Sequence, residues 1–300
     1  MKRFFLFLLL IAHGLNAPMT ASSKTLPASE KIKVLTTFSV LEDFAHQIGK
    51  DRIEVTSLVP RDADPHVYEP TPSDVKRITE ADLILMNGLG FESWFERLIN
   101  AAQYKGKLVV CTDHIHPRLV FEGTIIKDPH AWHSIPNAKI YIRNITDTLK
   151  NVDLKNADYY EKNARNYLDQ LTQLDEKIRR SLDKIPPQKR KIITAHDAFG
   201  YLGHSYGIQF LSPQGISTES EAKIQNVIGL IKQIREQNIK TVFIENISDC
   251  KIIKQISQET NAKIGGSLYS DALSDPNGKA PTYLAMITYN MELLLNAMRE

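Results

Sequence analysis

One interruption in an otherwise regular pattern governs what this chain can fold into. From Asn156 to Ile185 there is neither glycine nor proline. Within that stretch Tyr160, Ala164, Tyr167, Leu168, Leu171, Leu174, Ile178 and Leu182 recur at steps of three and four, the spacing that lines up side chains on one face of an α-helix. The positions between them carry Asp, Glu, Lys, Arg and Gln, and Pro186-Pro187 stops the run. About 30 residues at ~1.5 Å each give roughly 45 Å, longer than a small lobe is wide. A helix of that length is either the seam of a coiled-coil dimer or a strut between two bodies. The patterns on both sides favour the strut.

On the N-terminal side, apolar runs at 32–38, 53–59, 83–86 and 108–111 predict strands, and helical spacing at 41–48, 73–81 and 94–102 separates them, with Ser73 after Pro72 as an N-cap. On the C-terminal side the rhythm returns. Runs at 191–194, 208–211 and 241–244, and one entered at Lys263, predict strands. Helices are predicted at 199–206, 219–237, 249–260 and 283–298, the second with Ile224, Val227, Ile228, Ile231 and Ile234 on one face. Apolar runs alternating with helices indicate parallel sheets covered on both faces. The expected fold is therefore α/β: two doubly wound parallel-sheet lobes joined by one long rigid helix. The expected divisions are a signal peptide over 1–24, an N-terminal α/β lobe over 25–152, the bridging helix over 153–186 and a C-terminal α/β lobe over 187–300.

The signal peptide rests on Lys2-Arg3, then an unbroken apolar run from Phe4 to Ala12, then small and polar residues through Lys24. A membrane anchor would need about 20 apolar residues, and this run falls well short. Cleavage after Ala17, Ala21 or Ser23 would release a soluble protein into a periplasm-like space, and no cysteine stands near that exit to carry a lipid. The two cysteines, Cys111 and Cys250, lie in apolar stretches of different halves and are expected to be separate buried thiols. A net charge of +2, with Lys and Arg scattered, excludes a nucleic-acid partner.

Residues of metal-ligand type follow strand-like runs in each quarter of the chain. His66 lies in Asp64-Pro65-His66, His130 in Asp128-Pro129-His130-Ala131-Trp132, His196 in Thr194-Ala195-His196-Asp197, and Asp271 in Leu268-Tyr269-Ser270-Asp271. Ligands of doubly wound sheets bind beyond the carboxyl ends of strands, and the residue before each proline is held extended, which fixes the approach to His66 and His130. Three imidazoles and one carboxylate complete a shell for one divalent transition metal. Taken singly, each has a plainer reading: a loop histidine is more often exposed or hydrogen-bonded, and Asp271 can cap the segment after it. His46 and His204 read as structural, His114 and His116 as a solvated pair, and His133 as a neighbour or entrance group.

The motifs carry a resemblance. Asp64-Pro65-His66-x-Tyr68-Glu69-Pro70-x-Pro72, Asp128-Pro129-His130-Ala131-Trp132, Thr194-Ala195-His196-Asp197-Ala198-Phe199, Gly215-Ile216-Ser217-Thr218-Glu219, Phe243-Ile244-Glu245-Asn246 and the 268–273 stretch resemble, in order and over the mature chain, the metal-binding receptors of zinc and manganese ABC uptake systems, the ZnuA/TroA-like family. The resemblance implies a metal site in the cleft between the lobes, with His66, His130, His196 and Asp271 as ligands and Glu245 behind them. It also implies a periplasmic receptor, Zn²⁺ or Mn²⁺ as cargo, and delivery to a membrane ABC permease; the protein is expected to be a monomer. Zinc-specific members carry a His-rich acidic loop between the first two ligands, and only His114 and His116 stand there. Manganese-type members usually carry Glu at the third ligand, where this chain has His196. The two departures pull in opposite directions and leave the metal open.

Two other functions compete. A secreted zinc hydrolase needs an open coordination position and a base, and no His-Glu-x-x-His run occurs. An adhesin stabilised by metal would lose its fold on chelation.

Overall fold

Strand β1 (Ile32–Thr36) alternates an exposed Lys33 with buried Ile32, Val34 and Leu35, and it sits inside a sheet because both its edges find parallel partners. The computed structural model describes residues 31–300, which form one unit; the expected signal peptide lies outside the described residues. After β1 come α1 (Ser39–Gly49), β2 (Ile53–Ser57), α2 (Pro72–Glu80), β3 (Leu83–Met86), α3 (Phe95–Ala101) and β4 (Lys107–Val110). The four strands pair in the order β2-β1-β3-β4, all parallel. Helix α2 starts slightly earlier than Ser73 suggests, because Thr71 and Asp74 form a reciprocal capping box around Pro72.

Two segments go beyond the predicted elements. An antiparallel hairpin, β5 (Leu119–Phe121) and β6 (Ile125–Lys127), turns at Gly123, whose φ of 84° favours glycine. Helix α4 (Ile135–Val152) is capped by the Ser134 hydroxyl, which accepts from the Asn137 N–H, and it buries Ile135, Ala138, Tyr141, Ile142, Ile145 and Leu149. The long helix α5 (Ala157–Leu182) follows it and packs on α4 and α1. Its buried side is the predicted stripe, with Tyr160, Ala164, Tyr167, Leu171, Ile178 and Leu182 inside and Leu168 and Leu174 half-buried.

The second half contains β7 (Lys191–Ile193), α6 (Gly200–Tyr206), β8 (Gln209–Leu211), α7 (Ile224–Glu236), β9 (Thr241–Glu245), α8 (Lys251–Thr260), β10 (Lys263–Leu268) and α9 (Tyr283–Arg299). Its parallel sheet runs β10-β9-β7-β8. Read from its other edge and numbered within its own half, that order is the order of the first sheet, so the chain builds one topology twice. Strand β10 shifts register between Ile264 and Ser267, where Gly266 sits at φ 137° and a Cβ on Gly265 would collide with the Thr241 and Phe243 side chains.

Helix α7 departs from the pattern its sequence suggests. It begins at Ile224 and not at Glu219, and its inner face is Leu230 and Ile234, with Val227 and Ile231 half-buried beside them, packed with Ile253 and Ile256 of α8 and Val242 of β9. Ile224 and Ile228 are exposed, at 72% and 62%. The loop before the helix forms part of the wall of the site described below, through Ile216, Ser217 and Glu219. The thiols are free, as expected, but Cys250 is only half-buried. Among the described residues no helix is long and apolar enough to cross a membrane.

Candidate metal centre

Four loops leave the carboxyl ends of the two sheets and meet. His66 rides on the long turn after β2, His130 follows the hairpin, His196 comes shortly after β7 and Asp271 shortly after β10. One ligand-type atom from each lies within 4.8 Å of the others. The Nε2 atoms of His66 and His130 are 3.2 Å apart. Asp271 Oδ2 stands 3.4 Å from His66 Nε2 and 3.2 Å from His196 Nε2, and its Oδ1 stands 3.6 Å from His130 Nε2. All four side chains are buried, His66 at 4% exposure and the others at 0%.

Carboxylates position the three histidines, two of them at the ring itself. In both Asp-Pro-His motifs the aspartate folds back onto the histidine: Asp64 Oδ1 accepts the His66 backbone N–H at 2.9 Å, and Asp128 Oδ1 accepts that of His130 at 3.0 Å. The proline between them holds the turn open for this bond. Asp128 Oδ1 also lies 2.8 Å from His130 Nδ1, which turns Nε2 toward the centre. Glu245, the last residue of β9, does the same for His196 from a neighbouring strand. Its Oε1 accepts the Ala195 and His196 N–H groups at 2.8 and 3.0 Å, and its Oε2 lies 2.5 Å from His196 Nδ1. Asp271 is held by its flanks: the Ser270 carbonyl accepts from Trp132 Nε1, and the Leu273 N–H donates to Ser39 Oγ.

The electrostatics are those of a site prepared for a cation. Burial acts to raise the Asp271 carboxyl pKa, but the His196 and His130 imidazoles outweigh it and hold the carboxyl well below the usual carboxylate range. Burial acts to lower the His196 pKa, yet Glu245 and Asp271 together drive it well above the ordinary histidine value. Burial also opposes ionisation of Asp128, and its bond and charge pairing with His130 overcome that. Among the described residues neither Asp271 oxygen, nor His196 Nε2, has a hydrogen-bond partner. Buried polar atoms are rarely left so, and a divalent cation among the four donors would satisfy all of them.

A cavity of about 550 Å³ reaches the centre from one side, lined by His66, Phe91, Ile126, Lys127, Ile216 and Glu219 among others. His66 is the one ligand-type residue of the four on its wall. The 215–219 loop closes the far side through three bonds to the first half: Thr218 Oγ1 to Asp64 Oδ2 at 2.6 Å, Ser93 Oγ to Glu219 Oε1 at 2.9 Å, and the Ile216 N–H to Glu122 Oε1 at 2.7 Å.

The remaining histidines among the described residues separate cleanly. His46, His114, His116 and His204 are exposed and away from the centre. His133 is buried against Phe199, with ring centroids 4.6 Å apart, and burial pushes its pKa down to about 3; it is neither a member of the cluster nor on the cavity wall. Sequence reasoning marked Glu245 but missed the carboxylate role of Asp128, although its place two residues before His130 was the signal. It missed Arg118 altogether and gave Thr218 no role of its own, since their partners are distant in sequence.

Two parallel-sheet lobes, one long helix and a buried nest of three imidazoles and a carboxylate define a binding protein whose ligand is a cation. Residues 34–297 match the family described as zinc-uptake complex component A, periplasmic, and the chain belongs to that family. It is 38% identical over 268 residues to the iron-binding protein YfeA of Yersinia pestis, covering 89% of this chain and 86% of that protein. It is 31% identical over 301 residues to the manganese ABC transporter substrate-binding lipoprotein PsaA of Streptococcus mitis, covering 98% and 97%. The periplasmic zinc-binding protein TroA of Treponema pallidum superposes with a TM-score of 0.85 at 29% identity, covering 90% of this chain and 99% of that one. The family consists of substrate-binding receptors of ABC transporters that work outside the cytoplasm, not of enzymes, so the hydrolase reading falls.

Proposed function

We propose that His66, His130, His196 and Asp271 are the four protein ligands of a divalent transition metal, bound as cargo, and that the protein hands this ion to a membrane ABC permease. The carrying observation is the meeting of four donor atoms within 4.8 Å of one another, from four loops, with both Asp271 oxygens unpartnered among the described residues. Four protein donors fill a tetrahedral shell, which suits capture and release and leaves no place for an attacking water. Zn²⁺ and Mn²⁺ are the cargo candidates. Three imidazoles favour Zn²⁺ by donor softness, while iron, manganese and zinc all occur in the names of the similar proteins.

The mature protein is a periplasmic monomer that starts near residue 25, after removal of the signal peptide, with lobes over 25–152 and 187–300 and the connecting helix over 153–186. Isothermal titration with Zn²⁺ and Mn²⁺ on the mature protein and on the four single alanine variants tests the site. The expected result is one ion per chain and a severe loss in every variant; near-native affinity in all four would overturn it. Metal analysis of protein purified from its native compartment without refolding identifies the cargo, and mass determination of that sample locates the cleavage point. Light scattering of the same sample gives the oligomeric state.

A further inference from the structure

Arg118 precedes β5, at the foot of the hairpin, and its guanidinium reaches in two directions. Nη1 donates to Asp128 Oδ2 at 2.8 Å, the aspartate whose other oxygen orients His130. Nη2 lies 3.5 Å from Asp197 Oδ2, next in sequence to His196 and contributed by the opposite half. The backbone of the same residue joins the arrangement. The Arg118 N–H donates to the Tyr201 hydroxyl at 2.9 Å, that hydroxyl donates to the Asp128 carbonyl at 2.9 Å, and the Arg118 carbonyl accepts the Asp128 N–H at 2.8 Å. Space for the guanidinium comes from Gly200, the first residue of α6: a Cβ there would collide with Arg118 Nη1. The arginine is only about one-third exposed, so its ion pairs are partly shielded from solvent.

The balance of charge gives this cation a particular task. Asp128 and Asp197 sit on opposite halves, each within two residues of a proposed ligand, and Asp271 and Glu245 add two more carboxylates nearby. A bound divalent ion neutralises part of this negative charge. When the ion leaves, Arg118 is the fixed positive charge joining Asp128 to Asp197 across the two faces.

We infer that Arg118 is a positioning residue: it orients His130 through Asp128 and, through Asp197, keeps the two halves together after the ion has gone. This rests on the carrier reading above. The metal-free protein is then held closed and ready to bind, and the ion is enclosed without a large opening of the lobes.

The test uses the mature protein with Arg118→Met, Arg118→Lys, Asp197→Asn and Gly200→Ala, the last displacing the guanidinium while leaving every charge in place. Small-angle scattering is recorded with and without Zn²⁺, and Zn²⁺ dissociation is followed by transfer to a chelator. Cobalt(II) absorption reports the donor geometry. Arg118→Met should enlarge the metal-free form, leave the Zn²⁺-loaded form compact and speed dissociation about tenfold or more, tenfold being the low end for a hydrogen bond to a charged group. It should also shift the cobalt bands. Arg118→Lys should restore part of both effects. Asp197→Asn should enlarge the metal-free form without moving the cobalt bands, because it leaves the Asp128–His130 contact intact. Gly200→Ala should resemble Arg118→Met more weakly, and it decides the question if the methionine variant does not fold. Unchanged scattering in the metal-free state and dissociation within about twofold of wild type, in Gly200→Ala and whichever arginine variant folds, would overturn the inference. Failure of the wild-type protein itself to bind Zn²⁺ or Mn²⁺ would overturn the carrier reading instead.

Discussion

The two halves carry the same four-stranded parallel order but deliver their ligand-type residues differently. In the second half His196 comes three residues after Ile193 and Asp271 three after Leu268, so each is nearly an extension of its strand. In the first half His66 comes nine residues after Ser57, and His130 is reached only through a hairpin inserted after β4. The orienting carboxylates follow suit. His130 is backed by Asp128 from its own turn, whereas His196 is backed by Glu245 from the next strand over. One half therefore offers a rigid floor fixed by sheet registry, and the other closes over it with locally folded loops. The one member of the four-residue cluster on the cavity wall, His66, belongs to the looped half.

The largest effect should come from the floor. Asp271 approaches all three imidazoles, and its oxygens have no hydrogen-bond partner among the described residues. Asp271→Ala removes the only anionic donor and leaves three imidazoles converging. Metal affinity should fall by more than the roughly 10–100-fold typical of losing an outer partner, measured by chelator competition. An equal or smaller loss than for His66→Ala would break the distinction between floor and lid.

Next come the orienting carboxylates. Asp128→Asn and Glu245→Gln keep volume and remove charge, and each should cost roughly 10–100-fold in affinity. Glu245→Gln should be the more damaging, since the remaining oxygen is held by two N–H groups of the turn that presents His196, which leaves the amide NH2 facing His196 Nδ1. Thermal unfolding of the metal-free variants separates the two roles: the Glu245 change should lower Tm more than the Asp128 change.

How far this division could be read beforehand follows from the range of the contacts. Strand ends, the long helix and the four ligand-type residues were legible because each is a local pattern: an apolar run, a stripe, a turn motif. Helix α4 was equally local, with Ser134 and Pro136 at its start, but its β-branched Ile142, Ile145, Thr146 and Thr148 weaken the helical signal. The inner face of α7 was read only in part: Val227, Ile231 and Ile234 pack inward as their spacing suggests, but Ile224 and Ile228, which satisfy the same spacing, are exposed. Only the position of α8 and β9 decides which face is covered. Arg118 was illegible for the same reason, since its Asp197 contact lies in a distant segment whose placement depends on the whole fold.

A third test uses protons. In the metal-free protein His196 holds its proton above the ordinary histidine range and Asp271 stays ionised below the ordinary carboxylate range. A raised histidine stabilises the fold below its unfolded pKa of about 6.5 and stops doing so as pH rises through its folded value; a depressed carboxylate stabilises above about 3.9 and stops as pH falls through its folded value. The metal-free protein should therefore lose stability on the alkaline side of neutrality, by roughly 2–4 °C in Tm for each kcal/mol lost. Metal binding needs neutral imidazole, so affinity should rise over the same interval, by about tenfold per pH unit while one proton is displaced. Titration at about pH 7 in buffers of different ionisation enthalpy reads that proton directly. Release of none would mean that His196 is already neutral, and the floor would be less strongly charged than its geometry implies.

The smallest effect probes how the floor steadies the lid. Thr218 donates to Asp64 Oδ2 across the cleft, and Asp64 Oδ1 in turn accepts the N–H of His66. Thr218→Val keeps the shape and removes the donor. A hydrogen bond of this kind contributes about 0.5–1.5 kcal/mol, so affinity should drop by about 2–10-fold, with the change in dissociation and little in association. Ser93→Ala is the control, because its bond to Glu219 crosses the same cleft without touching a residue of the His66 turn. If the two variants release metal at the same rate, the loop on the second half acts only as a cover. If Thr218→Val is the faster, the rigid half reaches across to hold the one ligand-type ring that faces the way out.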